Sequence, residues 1–471
     1  VQEDFSMTQT VSMILKLRRL AFAPALLLAA ALVVPAQTTG QLPPLPADFA
    51  EKVSAFVQRF ADDGQFSGTV LVKAADEVLV NQSFGHANAE WGTEFSDSTR
   101  FRIGSLSKHF AAAAILQLEE QGKLSLTDSI VKYYPEAPES WSSITIEQLL
   151  RHNSGIFNYT DLPRFNFRQV LSVEEVVATV HDRPLGFAPG TRYSYSNTGY
   201  VLLGLIIERI SGMSWERYLS ENITAKAGLL NTGYERGDRL QPLRAAGYRG
   251  DTLRLINADF IDMSLPHAAG ALFSATEDFS RWLEHLESGS VISRDAFRRM
   301  TTAGLGGYGY GVGIMRAGEV NFYAHGGGIH GFATYFIRSA ASRFTIVVFS
   351  NNEMVPTGAI ANRILDLALG RNPSLPAVRT ATPISEEDQR ALAGTYLLPN
   401  GSTLSIQKED DGLVLLDSRG VPPAPLYGGA TSGVLFARAL PMQVRYVTTG
   451  GAVNEIRYGL GNEELTARRK P

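Results

Sequence analysis

The chain contains no cysteine among its 471 residues. That absence excludes a disulfide, a thiolate metal site, a cysteine nucleophile and a lipidated N-terminal cysteine. It leaves the redox compartment open, since a thiol-free protein survives in either. Charge is sparse as well: 19% of residues are charged, and 43 basic against 47 acidic side chains give a net charge of −4. No bulk positive field exists to hold nucleic acid, and the terminal Arg468-Arg469-Lys470 run reads as a solvated tail. Long apolar runs are missing too. The best candidate, Leu20 to Val34, is shorter than the ~20 residues that span a bilayer and is interrupted by Pro24. There is no GxSxG elbow, so His325-Gly326-Gly327-Gly328, which mimics a lipase HGGG element, has no α/β-hydrolase nucleophile to serve. HExxH and Walker motifs are absent, and Gly304 to Gly309 matches GxGxxG in letters only, because it leads into a Gly–Tyr strand. No metal site and no cofactor are expected.

What is present describes a folded, two-part protein. The length exceeds the roughly 100–200 residues of one average domain, which predicts a large domain with a smaller partner. With 44% hydrophobic residues there is ample material for a core. Met13 is followed by basic Lys16-Leu17-Arg18-Arg19, the short apolar run, and Val34-Pro35-Ala36 before Gln37. These are the marks of a secretory signal over residues 13–36. They predict an exported protein, periplasmic or secreted, with no stable membrane span after cleavage; residues 1–12 read as preceding the natural start. An uncleaved anchor and a buried helix are the competing readings.

Beyond a Pro-rich lead-in, Phe66 to Phe84 reads as a hairpin turning around Asp76. Phe110 to Gln121 reads as a helix closed by Gly122. Helical patterns follow at 146–151, 173–180, 200–210, 215–220 and 276–286, and strand patterns return at 308–314, 334–337 and 344–349. Strands, then helices, then strands predict an α+β domain over 45–370 whose sheet is built from both ends of the segment. Residues 371–385 read as a linker. The remaining 386–471 carry short alternating strands at 403–407, 413–416, 434–437, 444–447 and 455–458, expected to form a small all-β barrel.

Three elements can carry chemistry. Ser105-Leu106-Ser107-Lys108 lies where a turn enters a helix, and three helical residues bring Lys108 round to the face of Ser105. A desolvated lysine amine can take the serine proton and convert a weak nucleophile into a strong one. The spacing alone is common, recurring at Ser129–Lys132 and Ser405–Lys408, and an ordinary helix cap competes with it. Tyr195-Ser196-Asn197 directly precedes the 200–210 helix; its phenol can relay protons and its amide can orient a carbonyl, against the reading of a capped turn. In His325-Gly326-Gly327-Gly328-Ile329-His330-Gly331 the glycines permit close backbone approach and leave N–H groups to face an oxyanion. A flexible turn between strands is the alternative. His152 reads as a structural loop residue.

SxxK, then YxN, then a basic residue followed by glycines, in that order, resembles the serine β-lactamase and penicillin-binding superfamily. Within it the chain is most similar to the class C β-lactamase, DD-carboxypeptidase and esterase-type group. The phrases Glu147 to Gly155, Gly122 to Asp128 and Ser274 to Asp278 extend the likeness to about residues 50–370, and the trailing domain looks like the barrel appended to some members. The resemblance implies a β-lactamase/transpeptidase-like domain, an antiparallel sheet flanked by helices plus a helical subdomain. It makes Ser105 the acylated nucleophile and Lys108 and Tyr195 the proton-transfer pair. Asn197 would hold the acyl-side amide, and His325, Gly326 and Gly327 would form the third motif. The backbone N–H groups of Ser105 and Gly328 would be the oxyanion hole. Gly326 replaces a Thr or Ser hydroxyl that often helps bind a substrate carboxylate, and His330 replaces a proline. The expectation is an exported serine hydrolase acting on a small-molecule or peptide ester, amide or β-lactam carbonyl, with oligomeric state left open. The alternative is a non-catalytic protein that binds cell-wall fragments or a partner on the same scaffold.

Overall fold

Seven residues from Gly68 to Ala74 (β1) and eight from Glu77 to Phe84 (β2) form the expected hairpin, turning through Ala75 and Asp76. In this computed structural model, residues 40–470 are described apart from 252–253, 374–378, 411, 420, 439, 441 and 461–462. The expected signal segment, 13–36, lies outside them. β1 is buried on both faces and β2 is mostly exposed, the signature of a central strand beside an edge strand. Four later strands complete the sheet: β3 (Gly313–Ala317), β4 (Val320–Ile329), β5 (Phe332–Ser339) and β6 (Phe344–Ser350). The order is β2-β1-β6-β5-β4-β3, antiparallel throughout, with Gly68 opposite Ser350 and Ala74 opposite Phe344. The amino-terminal hairpin therefore closes onto the last strand, as the strand–helix–strand pattern predicts.

Helices cover both faces. Helix α1 (Phe49–Asp62) places Phe49, Val53, Phe56 and Val57 on one face of the sheet beside Ile360 and Ile364 of the helix that runs from Thr357 to Ala368. The other face packs against a larger helical layer that contains α2 (Ser107–Glu120), α3 (Asn197–Ser211) and α4 (Thr276–Ser288). Both α2 and α3 are buried almost all round, with Phe110 stacked on Trp282 of α4 at 4.2 Å between ring centroids. A helix apolar on every side needs neighbours on every side. That is why Ser105 and Asn197, at the starts of α2 and α3, meet in the interior of the domain.

Two stretches depart from the sequence pattern. The strand expected over 308–314 begins only at Gly313. Ahead of it the chain curls, Gly309 N–H donating to Val312 O at 2.8 Å, and Gly311, at φ +74°, lies against the backbone of Lys108. Conversely the glycine run 326–328, which resembles a turn, lies inside the ten-residue β4.

The carboxy-terminal part is a closed barrel of eight antiparallel strands between Gly394 and Arg469, sealed by Tyr396 opposite Arg469. Its unforeseen members include Val421–Gly428, where Pro422, Pro423 and Pro425 erase the usual strand signal, and the polar Glu463–Arg469. Leu404, Ile406, Leu415, Val444, Ile456 and Tyr458 fill its interior. The barrel is fastened to the α+β part through Asp63, fully buried at the end of α1, whose carboxylate accepts from Arg438 at 2.7 Å and from Arg379 at 3.0 Å. A buried charge is tolerated only when paired this way. Among the described residues no helix is long and apolar enough to cross a membrane.

Candidate active site

The short strand Phe101–Arg102 runs into a single tight turn, Gly104–Leu106, before α2 starts at Ser107. Gly104 has φ +51°, and a Cβ there would sit 2.9 Å from Gly328 N, so only glycine fits. Ser107 pins the turn: its hydroxyl donates to Gly104 O at 2.7 Å and accepts from Leu272 N–H at 3.1 Å. Ser105 projects from this turn, and Lys108 follows one helical turn later.

Lys108 is fully buried and faces no carboxylate among its hydrogen-bond partners: its Nζ lies 3.1 Å from Ser105 Oγ, 2.9 Å from Asn197 Oδ1 and 2.8 Å from Ala269 O. Burial pushes the amine well below the ordinary lysine value of 10.5. A neutral amine has two N–H bonds and one lone pair. With the two N–H groups given to Asn197 and Ala269, the lone pair is left for the Ser105 hydroxyl proton. Tyr195 O–H donates to the same Ser105 Oγ at 2.7 Å, and burial raises its pKa, which keeps the phenol protonated. Ser105 Oγ is thus held between the Lys108 amine, which in its neutral form can accept the hydroxyl proton, and the Tyr195 hydroxyl, which donates to it.

Tyr195 is backed by His152, whose ring centroid lies 4.2 Å away. His152 is buried at φ +55°, and its Nδ1 accepts Ser196 N–H at 3.1 Å. The residue acts on the site through Tyr195, by packing. Asn197 starts α3; its N–H donates to Asn158 Oδ1 at 2.9 Å, and its Nδ2 to Thr160 Oγ1 at 3.3 Å.

His325 sits mid-strand in β4, 1% exposed. Its Nδ1 donates to Gly326 O at 2.6 Å and its Nε2 accepts from Tyr308 O–H at 2.8 Å. Burial, with Lys108 nearby, pushes its pKa down to about 3. The ring is therefore neutral, has both nitrogens engaged, and lies a layer behind Tyr195. Gly327 explains the glycine run: a Cβ there would fall 2.0 Å from Ile103 O and 2.3 Å from Thr334 Oγ1. Without side chains, β4 runs directly against the Ser105 turn and brings Gly328 beside it.

Ser105 and Asn197 open onto a cleft of about 430 Å³ together with Gly328, Ile329 and His330. Its remaining wall comes from the loop 159–167 and from residues 261–270, including Phe167, Ile261 and Pro266. The structure therefore gathers Ser105, Lys108, Tyr195, Asn197 and Gly328 at one place, with Gly326 and Gly327 as backbone spacing and His325 behind. Sequence reasoning missed Ala269, whose carbonyl orients Lys108, and the wall residues Thr160, Arg164, Phe167 and Ile261. A carbonyl contact leaves no trace in residue identity, and the wall residues are of ordinary loop and core types. Among the described residues no cluster of three or more His, Cys, Asp or Glu side chains is placed to hold a metal ion.

The family model described as Beta-lactamase matches residues 53–370. Penicillin-binding protein 4* of Bacillus subtilis is 29% identical over 442 residues, covering 86% of this chain and 96% of that protein. The solved octameric penicillin-binding protein homologue from Pyrococcus abyssi is 25% identical, with a TM-score of 0.60 over 88% of this chain and 99% of its own. A penicillin-binding protein structure from Bacillus halodurans is 26% identical, with a TM-score of 0.59 over 66% of this chain and 99% of its own.

Proposed function

The chain belongs to the Beta-lactamase family and has its transpeptidase-like fold, and from that premise we propose an exported serine hydrolase that works through an acyl-enzyme. The observation that carries the proposal is Ser105 Oγ, at the edge of a cleft, 3.1 Å from the Nζ of a buried Lys108 whose pKa burial pushes well down, and 2.7 Å from the Tyr195 hydroxyl. Lys108 takes the Ser105 proton as Oγ bonds to the substrate carbonyl carbon, and the carbonyl π pair moves onto oxygen. The N–H groups of Ser105 and Gly328 hold that oxyanion; loss of one such donor typically lowers the rate ~10²–10³-fold. As the tetrahedral species collapses, Tyr195 gives its proton to the leaving group and regains one from Lys108. Water then attacks the acyl-Ser105 carbonyl, Lys108 accepts the water proton, and collapse returns a proton to Oγ.

The leader pattern over residues 13–36 supports export. Substrate choice follows from the cleft. Gly326 offers no hydroxyl for a substrate carboxylate, and Phe167, Ile261, Pro266 and Ile329 give the cleft apolar walls. Both features favour esters or short peptides over β-lactams.

An acylating fluorescent penicillin and p-nitrophenyl esters test this reading together. Mass spectrometry of the unaltered protein is expected to find the adduct on Ser105, with labelling lost in Ser105→Ala, and ester turnover to exceed nitrocefin hydrolysis. Cephalosporin turnover equal to that of its best ester would remove the substrate bias. No labelling and no turnover would return the protein to the reading of a binding module.

A further inference from the structure

The barrel is filled by its own side chains, so its role is read from what its outer surface touches. It docks on a hairpin of the α+β part, formed by the strands Tyr248–Asp251 and Arg254–Asn257. On the first strand the buried Asp251 carboxylate accepts Tyr427 O–H of the barrel at 2.8 Å to each oxygen. On the second, Arg254 Nη1 donates to Leu413 O at 3.2 Å and Nη2 lies 3.7 Å from Glu409, both on barrel strands. The Tyr427 ring lies under Arg438, 5.2 Å from its guanidinium carbon, and Arg438 is the residue that clamps Asp63. A continuous chain of polar contacts thus runs from α1 through the barrel to the hairpin.

The hairpin leads directly to the cleft. Tyr248 N–H donates to Asn351 O at 2.9 Å, and Gly331, next to His330, would clash with Gly247 if it bore a Cβ, at 2.6 Å. Past the second strand, Ala258 N–H returns to Gly247 O at 3.1 Å, and Asp262 N–H donates to Phe167 O at 2.9 Å. Between those two bonds lies Ile261, which lines the cleft with Phe167. The segment 258–262 is therefore strung between the braced hairpin and the opposite loop, and its path depends on where the hairpin stands.

We propose that the barrel fixes the apolar Ile261–Phe167 wall of the cleft: Tyr427 and Arg254 are positioning residues that hold the hairpin formed by the strands Tyr248–Asp251 and Arg254–Asn257 and, through residues 258–262, set Ile261 and Phe167. The kinetic half of the inference rests on the acyl-transfer reading above; the structural half does not. Neither residue reaches the groups that move protons, so the brace governs substrate fit and leaves the chemical step alone.

The test uses the full chain with Tyr427→Phe, Arg254→Met and the double variant, all first shown to melt cooperatively. Hydrogen–deuterium exchange is expected to quicken in residues 254–262 in each variant, and most in the double, while the amides of α2 keep their protection. For p-nitrophenyl esters, KM of the unaltered protein should fall as the acyl chain lengthens from acetate to hexanoate. In the variants KM for hexanoate should rise about tenfold, the discrimination that roughly one methylene carries in an apolar pocket. KM for acetate and both kcat values should stay put, because uniform binding alone is lost. Unchanged exchange in 254–262 would overturn the brace, and faster exchange with unchanged KM for hexanoate would overturn its control of substrate fit. If the unaltered protein turns over no ester, the acyl-transfer reading falls, and the exchange result alone decides whether the barrel holds the hairpin. Tyr427→Phe changes no volume in the core, so it decides the matter should Arg254→Met fail to fold.

Discussion

Replacing Lys108 by alanine is expected to lower the rate of Ser105 acylation by about 10²–10⁴-fold, the usual contribution of a positioned general base. The cause is local. Ser105 Oγ keeps its hydrogen bond from Tyr195 O–H, but Tyr195 is a donor there and cannot accept the proton, because burial holds its phenol protonated. Among the described residues no carboxylate is a hydrogen-bond partner of the Lys108 amine to substitute for it. Lys108→Met, which preserves volume, should be as inactive as the alanine variant and should melt cooperatively, which separates lost chemistry from lost folding. The pH profile carries the same argument with a definite sign. The folded pKa of Lys108 is depressed, so the amine is neutral above that depressed value and acylation is lost as pH falls through it. The acid limb of kcat/KM should therefore lie well below the ordinary lysine value of 10.5, and it should be absent from the residual activity of Lys108→Met. Near-normal labelling by either variant would take Lys108 out of the mechanism.

Gly327→Ala should be the most damaging substitution that touches no titrating group. Its Cβ would be placed 2.0 Å from Ile103 O and 2.3 Å from Thr334 Oγ1. The first obstacle is backbone and cannot swing away, so β4 must retreat from the Ser105 turn and carry Gly328 with it. Losing the Gly328 donor alone implies a rate loss of about 10²–10³-fold, and forcing a methyl into a packed interior costs about 1–3 kcal/mol of stability. Labelling kinetics and thermal unfolding measure the two effects separately. The double variant Gly327→Ala, Thr334→Ala sharpens the assignment: it removes the side-chain obstacle but not Ile103 O, so it should stay impaired. Recovery in the double variant would show that Thr334, not the approach of two backbones, is why residue 327 has no side chain.

The pairing of Ser105 with Lys108 was legible in the sequence because it needs only helical geometry, three residues round one turn. The hairpin at 68–84, the helix ending at Gly122 and the return of strands at 332–350 were legible for the same reason: periodicity and end signals act over a few residues. The character of His325 was not. Its place after β4 begins and before three glycines marks a third motif, but whether the ring faces the cleft depends on Tyr308 reaching its Nε2 and on its own Nδ1 turning to Gly326 O. Those contacts make it a buried neutral ring rather than a group on the cleft wall. The glycines read as a place of close backbone approach or a turn, because a strand poor in side chains has no pattern to show; at Gly327 it is the approach of Ile103 O that leaves no room for a side chain.

The order of three short motifs along the chain, through the resemblance they carry, singled out Ser105, Lys108 and Tyr195 as the candidate nucleophile and proton-transfer pair. Tertiary packing decided the rest. Burial pushes the pKa of the Lys108 amine down, and Ala269 O, from a segment 161 residues away, fixes where that amine stands beside Ser105. A barrel clamped to Asp63 at the end of α1 stands against the hairpin that leads to the cleft wall. Desolvation and contact between distant segments are properties of the folded interior, and no stretch of sequence read by itself contains them.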